Sequence, residues 1–254
     1  MKTIFFNYKK YSKKTVLAVQ AHPDDVDYYC GALVHRLAAQ GANVIYVVCT
    51  RGEKGTLNRS LSPDELTFIR REEQRIANEI LGVSDTVFFD YPDGELSATI
   101  ELQGKIMRLI RMYRPALLLT FDPSMPDYAH HPDHHAAALA TLRANAFALL
   151  PHYFPEHLEE GLEPYQCTDM LLYDAPFAVA DTFIPVAGLF RKKYEAFFSH
   201  ESQTTHMLDE KQKKLVENLQ KIPVDPVVQA IAGLFAPEFV VEPYRTLGVR
   251  DLLK

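Results

Sequence analysis

Residues 15–25, TVLAVQAHPDD, constrain the fold of this chain more than any other stretch. Val16, Leu17, Ala18 and Val19 form a continuous apolar run, the pattern of a parallel strand buried on both faces. The run leads directly into a proline-stiffened turn with one imidazole and two carboxylates. In open α/β sheets the ligand crevice lies outside the carboxyl ends of the strands, and His22, Asp24 and Asp25 fall there. A second polar cluster, His130-His131-Pro132-Asp133-His134-His135, follows another apolar run at residues 116–121.

Strand and helix alternate between the two clusters. Residues 26–40 place Leu33, Val34 and Leu37 on one helical face, and Gly41 is a natural stop. A strand at 44–49 leads into a polar loop, 51–56. Ser62, Pro63 and Glu65 then form a capping box that opens a helix running to Leu81. A short strand at 86–89, a helix at 100–113 with Ile106, Leu109 and Ile110 inward, and a strand at 116–121 complete the series. This is the spacing of right-handed βαβ units. It predicts an α/β fold, a Rossmann-like three-layer sandwich with a mainly parallel sheet ordered 3-2-1-4. Further helices are expected at 133–149, 188–198, 208–219 and around 227–235, with strands at 169–174 and 182–186 and an irregular tail. A chain of 254 residues suits one domain over 1–254, with its core at about 15–203 and a C-terminal extension at 204–254.

A net charge of −6 argues against nucleic-acid binding, which needs a concentrated basic surface. Cys30, Cys49 and Cys167 lie in apolar surroundings without metal or disulfide spacing and read as reduced buried thiols. The apolar run at residues 4–6 is too short for a secretory signal or a membrane span, which places the protein in the cytoplasm. A homo-oligomer stays open.

In a 3-2-1-4 sheet the first and fourth strands are neighbours where the order reverses, so both clusters reach one crevice. Catalytic zinc takes three protein ligands and leaves a position for water. His22 and Asp25, three apart at a helix entry, face one point, and His134 completes a His/Asp/His set. Such a set suits zinc best and also fits iron(II), cobalt or manganese. Asp24 is then left as a base beside an acidified water, which is what hydrolysis of an unactivated amide needs. His131 stands where it can stabilise an oxyanion or protonate the leaving amine, and Asp133 where it can orient that ring. Taken singly, each motif reads better as loop residues capping a helix; together they point to a metal.

The motifs Ala21-His22-Pro23-Asp24-Asp25, Gly31, Thr50 with Gly52-Glu53 and Gly55, Arg70-x-x-Glu73, Leu81-Gly82-Val83, Pro92-Asp93-Gly94, His131-Pro132-Asp133-His134 and His200-x-Ser202-Gln203 resemble those of the LmbE or PIG-L type metal-dependent N-deacetylases. The resemblance spans about residues 15–203. It implies removal of an N-acetyl group from an N-acetylglucosamine-type conjugate through a zinc-bound water, one zinc per chain. It also implies His22, Asp25 and His134 as ligands, Asp24 as base, His131 at the oxyanion, and Arg70 and Asp93 facing the substrate, with structural roles for Glu53 and His200. The chain departs from the family at Cys30 and Ala32 around Gly31, in the long polar loop 123–130, and at Tyr128. Two other readings compete. Asp133-His134-His135 matches the tripeptide of two-manganese DHH phosphoesterases, and a sugar-binding protein with an idle metal site is the third.

Overall fold

The computed structural model describes residues 6–124, 131–176, 178–185, 189–205 and 241–248. The helices expected at 208–219 and 227–235, together with His130 and Tyr128, lie outside them. Five strands, β1 (Thr15–Gln20), β2 (Asn43–Thr50), β3 (Asp85–Tyr91), β4 (Leu117–Phe121) and β5 (Asp169–Tyr173), run parallel. With β6 (Thr182–Pro185) and β7 (Val241–Gly248) they form one sheet ordered β3-β2-β1-β4-β5-β7-β6, in which β7 runs antiparallel to both neighbours. The order reverses between β1 and β4, as the sequence predicts.

Helices α1 (Asp25–Ala39), α2 (Pro63–Leu81) and α6 (Phe190–Phe198) pack together on one face; α3 (Ile100–Tyr113) and α4 (Pro132–Phe147) pack on the other. Two further helices, α5 (Glu156–Glu159) and α7 (Glu201–Thr204), are single turns. The apolar residues of β1, β2 and β4 are fully or almost fully buried between these layers. The capping box of α2 forms as expected: Ser62 Oγ accepts the Glu65 N–H at 3.2 Å, and the Glu65 carboxylate accepts the Ser62 N–H at 2.8 Å. Among the described residues no helix is long and apolar enough to cross a membrane.

Strand β7 falls in the stretch expected to be irregular, and Pro243 explains the miss. Proline inside a run argues against a strand because it cannot donate to the ladder. Here, however, β7 pairs with β6 over 241–244 and with β5 only over 245–248, so among the described residues Pro243 has a ladder partner on one side only.

The aromatic stretch after α4 lies at the end of the sheet opposite the clusters, where the Tyr165 hydroxyl donates to the Pro115 carbonyl just ahead of β4 (2.7 Å). Its anchor is Arg111, almost fully buried, which donates to the carbonyls of Ala148 (3.1 Å), Leu150 (2.9 Å) and Phe154 (3.2 Å) and to His157 Nδ1 (3.2 Å). A guanidinium only donates, so this contact requires neutral His157. Burial, then Arg111, hold the His157 pKa below its ordinary 6.5. The unfolded chain therefore binds the proton more readily. This contribution to stability should be complete above about pH 6.5 and fade as the pH falls toward the lower folded value. His157→Gln, which supplies an acceptor that does not titrate, should flatten the dependence of Tm on pH over that range; an unchanged slope would refute it.

Candidate active site

His22, Pro23 and Asp24 form the turn leaving β1, and Asp25 opens α1. Asp25 folds back on that turn, its Oδ2 accepting the N–H groups of Ala21 (3.1 Å) and His22 (2.7 Å). Its other oxygen, Oδ1, lies 3.1 Å from His134 Nε2, and Oδ2 lies 3.5 Å from His22 Nδ1. The two clusters do meet. The His22 ring lies 4.6 Å from that of His131 and 5.3 Å from that of His134, centroid to centroid. Phe121, the last residue of β4, stacks on the His134 ring at 4.1 Å and fixes its plane.

The far nitrogen of His22 decides which atoms can take a cation. Nε2 lies 3.2 Å from both Asp93 Oδ1 and Asp133 Oδ2. Two carboxylates there demand a proton on Nε2, so Nδ1, the nitrogen that faces Asp25, is the one a cation could take in place of a proton. The Asp133 carboxylate is wholly buried and also accepts the N–H groups of Gly94 (2.7 Å) and Leu96 (3.0 Å). It thus orients His22, whereas the His131 ring is met by the Asp133 backbone: that N–H donates to His131 Nδ1 at 3.2 Å. An Nδ1 that accepts puts the His131 proton on Nε2, and burial followed by the neighbouring His22 and His134 holds the His131 pKa below 6.5. His131 is therefore a neutral imidazole with a hydrogen to donate.

Donor atoms of His22, His131 and His134 lie within 4.8 Å of one another, as do those of His22, Asp93, His131 and Asp133. Asp25 belongs to neither group, although it touches both His22 and His134. Outside those two groups Asp25 joins His22 to His134, one carboxylate oxygen toward each ring, while Asp93 and Asp133 are taken up by the His22 Nε2 proton. Asp24, Asp25, Asp93 and Asp133 crowd one guanidinium and three imidazoles, a balance that favours a divalent cation. Burial opposes charge on His22 and Asp25, yet Asp25, Asp133 and Asp93 outweigh it at His22, and His134 and His22 outweigh it at Asp25. His22 is held well above its ordinary pKa and Asp25 well below. For Asp93, too, burial is overcome by His22, and its pKa falls to about 2.

Asp24 has φ +108° and ψ −27°, a left-handed backbone that costs a non-glycine residue about 1–3 kcal/mol unless its surroundings impose it. Burial pushes the Asp24 pKa up, and Arg70 is the main opposing influence. Arg70 is almost fully buried rather than a surface charge, and donates to Asp24 Oδ2 (3.1 Å), the Pro23 carbonyl (2.7 Å) and the Gly52 carbonyl (2.8 Å). Gly52 has φ +65°, and a Cβ there would stand 2.4 Å from the guanidinium. Asp93 accepts the Lys54 N–H (3.2 Å), and its own N–H donates to Glu53. The His200-x-Ser202-Gln203 motif ties the surroundings together. His200 pairs with Asp27 (2.8 Å), Ser202 donates twice to Glu73 (2.6 Å each), and Gln203 donates to the Gly55 carbonyl (3.0 Å). His135 belongs to neither donor group.

Sequence reasoning missed Asp27 and Gln74. A signal was present: Gln74 shares with Leu66, Arg70, Glu73, Ala77 and Leu81 the buried stripe of α2, and polar residues at core positions of an amphipathic helix must be paired.

The fold and the site define an α/β protein with an imidazole–carboxylate centre at the reversal of strand order, able to hold one metal ion. The chain belongs to the PIG-L family, GlcNAc-PI de-N-acetylase, whose sequence pattern matches residues 17–145. It is 34% identical over 190 residues to diacetylchitobiose deacetylase of Thermococcus kodakarensis, covering 75% of this chain and 70% of that one. It is 33% identical over 166 residues to 1D-myo-inositol 2-acetamido-2-deoxy-alpha-D-glucopyranoside deacetylase of Kineococcus radiotolerans, covering 53% of this chain and 45% of that one. The structure of N,N'-diacetylchitobiose deacetylase from Pyrococcus horikoshii superposes with a TM-score of 0.78 at 27% identity, covering 96% of this chain and 88% of that one.

Proposed function

We propose that this protein is a zinc-dependent hydrolase that removes the N-acetyl group from an N-acetylglucosamine-type conjugate. The observation that carries the reading is that the Asp25 carboxylate reaches both His22 Nδ1 and His134 Nε2, beside a second carboxylate, Asp24, held by Arg70. His22, Asp25 and His134 would hold the ion. Zinc bound there would supply Lewis acidity and would bring the pKa of a water down toward neutral.

The remaining roles fall to the chain itself. Arg70 holds Asp24 by Oδ2, leaving Oδ1 to take a proton from the attacking water. As the acetyl carbonyl becomes tetrahedral, its oxygen gains charge. His131 Nε2–H donates to it without having to become cationic first. The proton held by Asp24 passes to the sugar nitrogen as the C–N bond breaks, releasing acetate and a free amine. The sugar lies against Arg70 and Asp93, whose hydrogen bonds to Asp24 and His22 connect the bound sugar to the reacting groups.

The names of the relatives support this substrate class. Metal analysis of the purified protein, joined to an acetate-release assay on N,N'-diacetylchitobiose and N-acetylglucosaminyl-inositol, tests it. We expect about one zinc per chain, loss of acetate release on chelation, and recovery on adding zinc. No release from any N-acetylated sugar by the zinc-loaded protein would refute the reading, and two ions per chain with phosphodiester cleavage would replace it.

A further inference from the structure

Arg70 fixes the carboxylate of Asp24, but the left-handed peptide that aims it is held from another direction. The Asp24 N–H donates to Gln74 Oε1 at 3.2 Å. Gln74 is wholly buried and lies one turn beyond Arg70 on α2. An amide has two ends of opposite polarity, and the residues behind Gln74 decide which end faces Asp24. Nε2 donates to Asp27 Oδ2 (2.8 Å) and to Asn78 Oδ1 (3.1 Å), so Oε1 is turned toward Asp24 and toward Gln20 Nε2 (3.2 Å). Asp27 is locked in turn, its Oδ1 accepting from the Tyr46 hydroxyl (3.0 Å) and its Oδ2 from His200 Nε2 (2.8 Å). Asp27, Tyr46 and His200 are all fully buried. Gln20 closes the circuit by accepting the Val26 N–H at 2.8 Å, tying the last residue of β1 to the entry of α1.

We propose that Gln74 is a positioning residue for the reaction: its carbonyl holds the Asp24 peptide in the left-handed conformation, and Asp27 sets the direction of that amide. The proposal rests on Asp24 being the base. Turned end for end, the Gln74 amide would present N–H to the Asp24 N–H, and the turn would be free to leave the conformation that points its carboxylate into the crevice. Asp27 thereby acts on the reaction without touching the substrate, through one intervening side chain.

The test uses Gln74→Met, which keeps the length of the side chain and removes both amide functions. We expect kcat on N,N'-diacetylchitobiose to fall about 10-fold or more with KM within about 2-fold, because substrate contacts are kept while the attacking geometry is loosened. Zinc per chain should stay near wild type, while Tm falls because the partners of the lost amide are left unpaired in the core, so kcat is referred to the folded, zinc-loaded fraction. Asn78→Ala removes an acceptor of Nε2 but leaves Asp27, and should keep kcat within about 2-fold. Asp27→Leu, which leaves Gln74 Nε2 no carboxylate to meet, should lower kcat like Gln74→Met, and the double variant should be no worse than either single one, since both break one chain of contacts. Wild-type kcat in folded, zinc-loaded Gln74→Met overturns the inference; so does a loss that tracks lost zinc or lost folded protein, or losses that multiply in the double variant. The underlying reading is separable: full turnover in Asp24→Asn defeats the assignment of the base, whereas an inactive Asp24→Asn beside a fully active Gln74→Met defeats this inference alone.

Discussion

Asp24→Asn is expected to lower kcat by about 10²- to 10⁴-fold, the range for loss of a general base, while zinc content and KM stay near wild type. The substitution suits the question because asparagine tolerates the left-handed backbone about as well as aspartate, so the turn at φ +108° need not move. The side-chain oxygen of the introduced asparagine can still accept from Arg70, as Asp24 Oδ2 does. What disappears is the ability to take up a proton. Steady-state acetate release with metal analysis on the same sample gives the answer. A variant that keeps wild-type turnover would show that the proton leaves the water by another route, and a variant that loses its zinc would make Asp24 a ligand.

The second large effect concerns stability. Glu242, on β7, is wholly buried, and its carboxylate accepts from the Ala32 N–H (2.8 Å), the Leu33 N–H (3.0 Å), the Tyr244 hydroxyl (2.8 Å) and Lys193 Nζ (2.8 Å). Lys193, on α6, also donates to the Tyr29 carbonyl at 3.3 Å. A side chain that takes N–H groups in the middle of a helix has entered its hydrogen-bond ladder, here in the helix that begins with Asp25. The ammonium stem fills the space beside Gly31, where a Cβ would lie 3.0 Å from Lys193 Cγ. Lys193→Met keeps most of that volume and strands a buried carboxylate, which should cost about 3–5 kcal/mol and lower Tm by roughly 10 °C. Adding Glu242→Gln removes the stranded charge and should recover part of the loss. Denaturant unfolding of the two variants decides it; a single-variant loss below about 1 kcal/mol would mean that water or rearrangement compensates the charge.

The two halves of the site are legible in the sequence because each follows a strand whose apolar run is unmistakable, and the order of strands then follows from alternation with helices. The capping box of α2 is equally plain, since both partners lie within three residues. Less legible is whatever depends on contacts between distant residues. The sequence pairs Asp133 with His131, its near neighbour, yet the carboxylate reaches His22 across the crevice. Arg70 can be read from its motif alone as a residue facing substrate, while its buried bonds to the turn of Asp24 need the packing of α2 against α1. Asp27 looks like an ordinary first-turn carboxylate. Nothing local announces that Tyr46, Gln74 and His200 converge on it.

The Glu242 contact also sets a schedule for biosynthesis. The residues proposed to grip the cation and the water are all made by position 134, but the carboxylate that enters α1 lies 210 and 209 positions beyond the amides it meets. Contacts of such long range close late. The segment of α1 behind Asp25 therefore acquires its final packing only after β7 has left the ribosome, and a nascent polypeptide halted before position 242 carries a reaction centre whose supporting helix is unfinished.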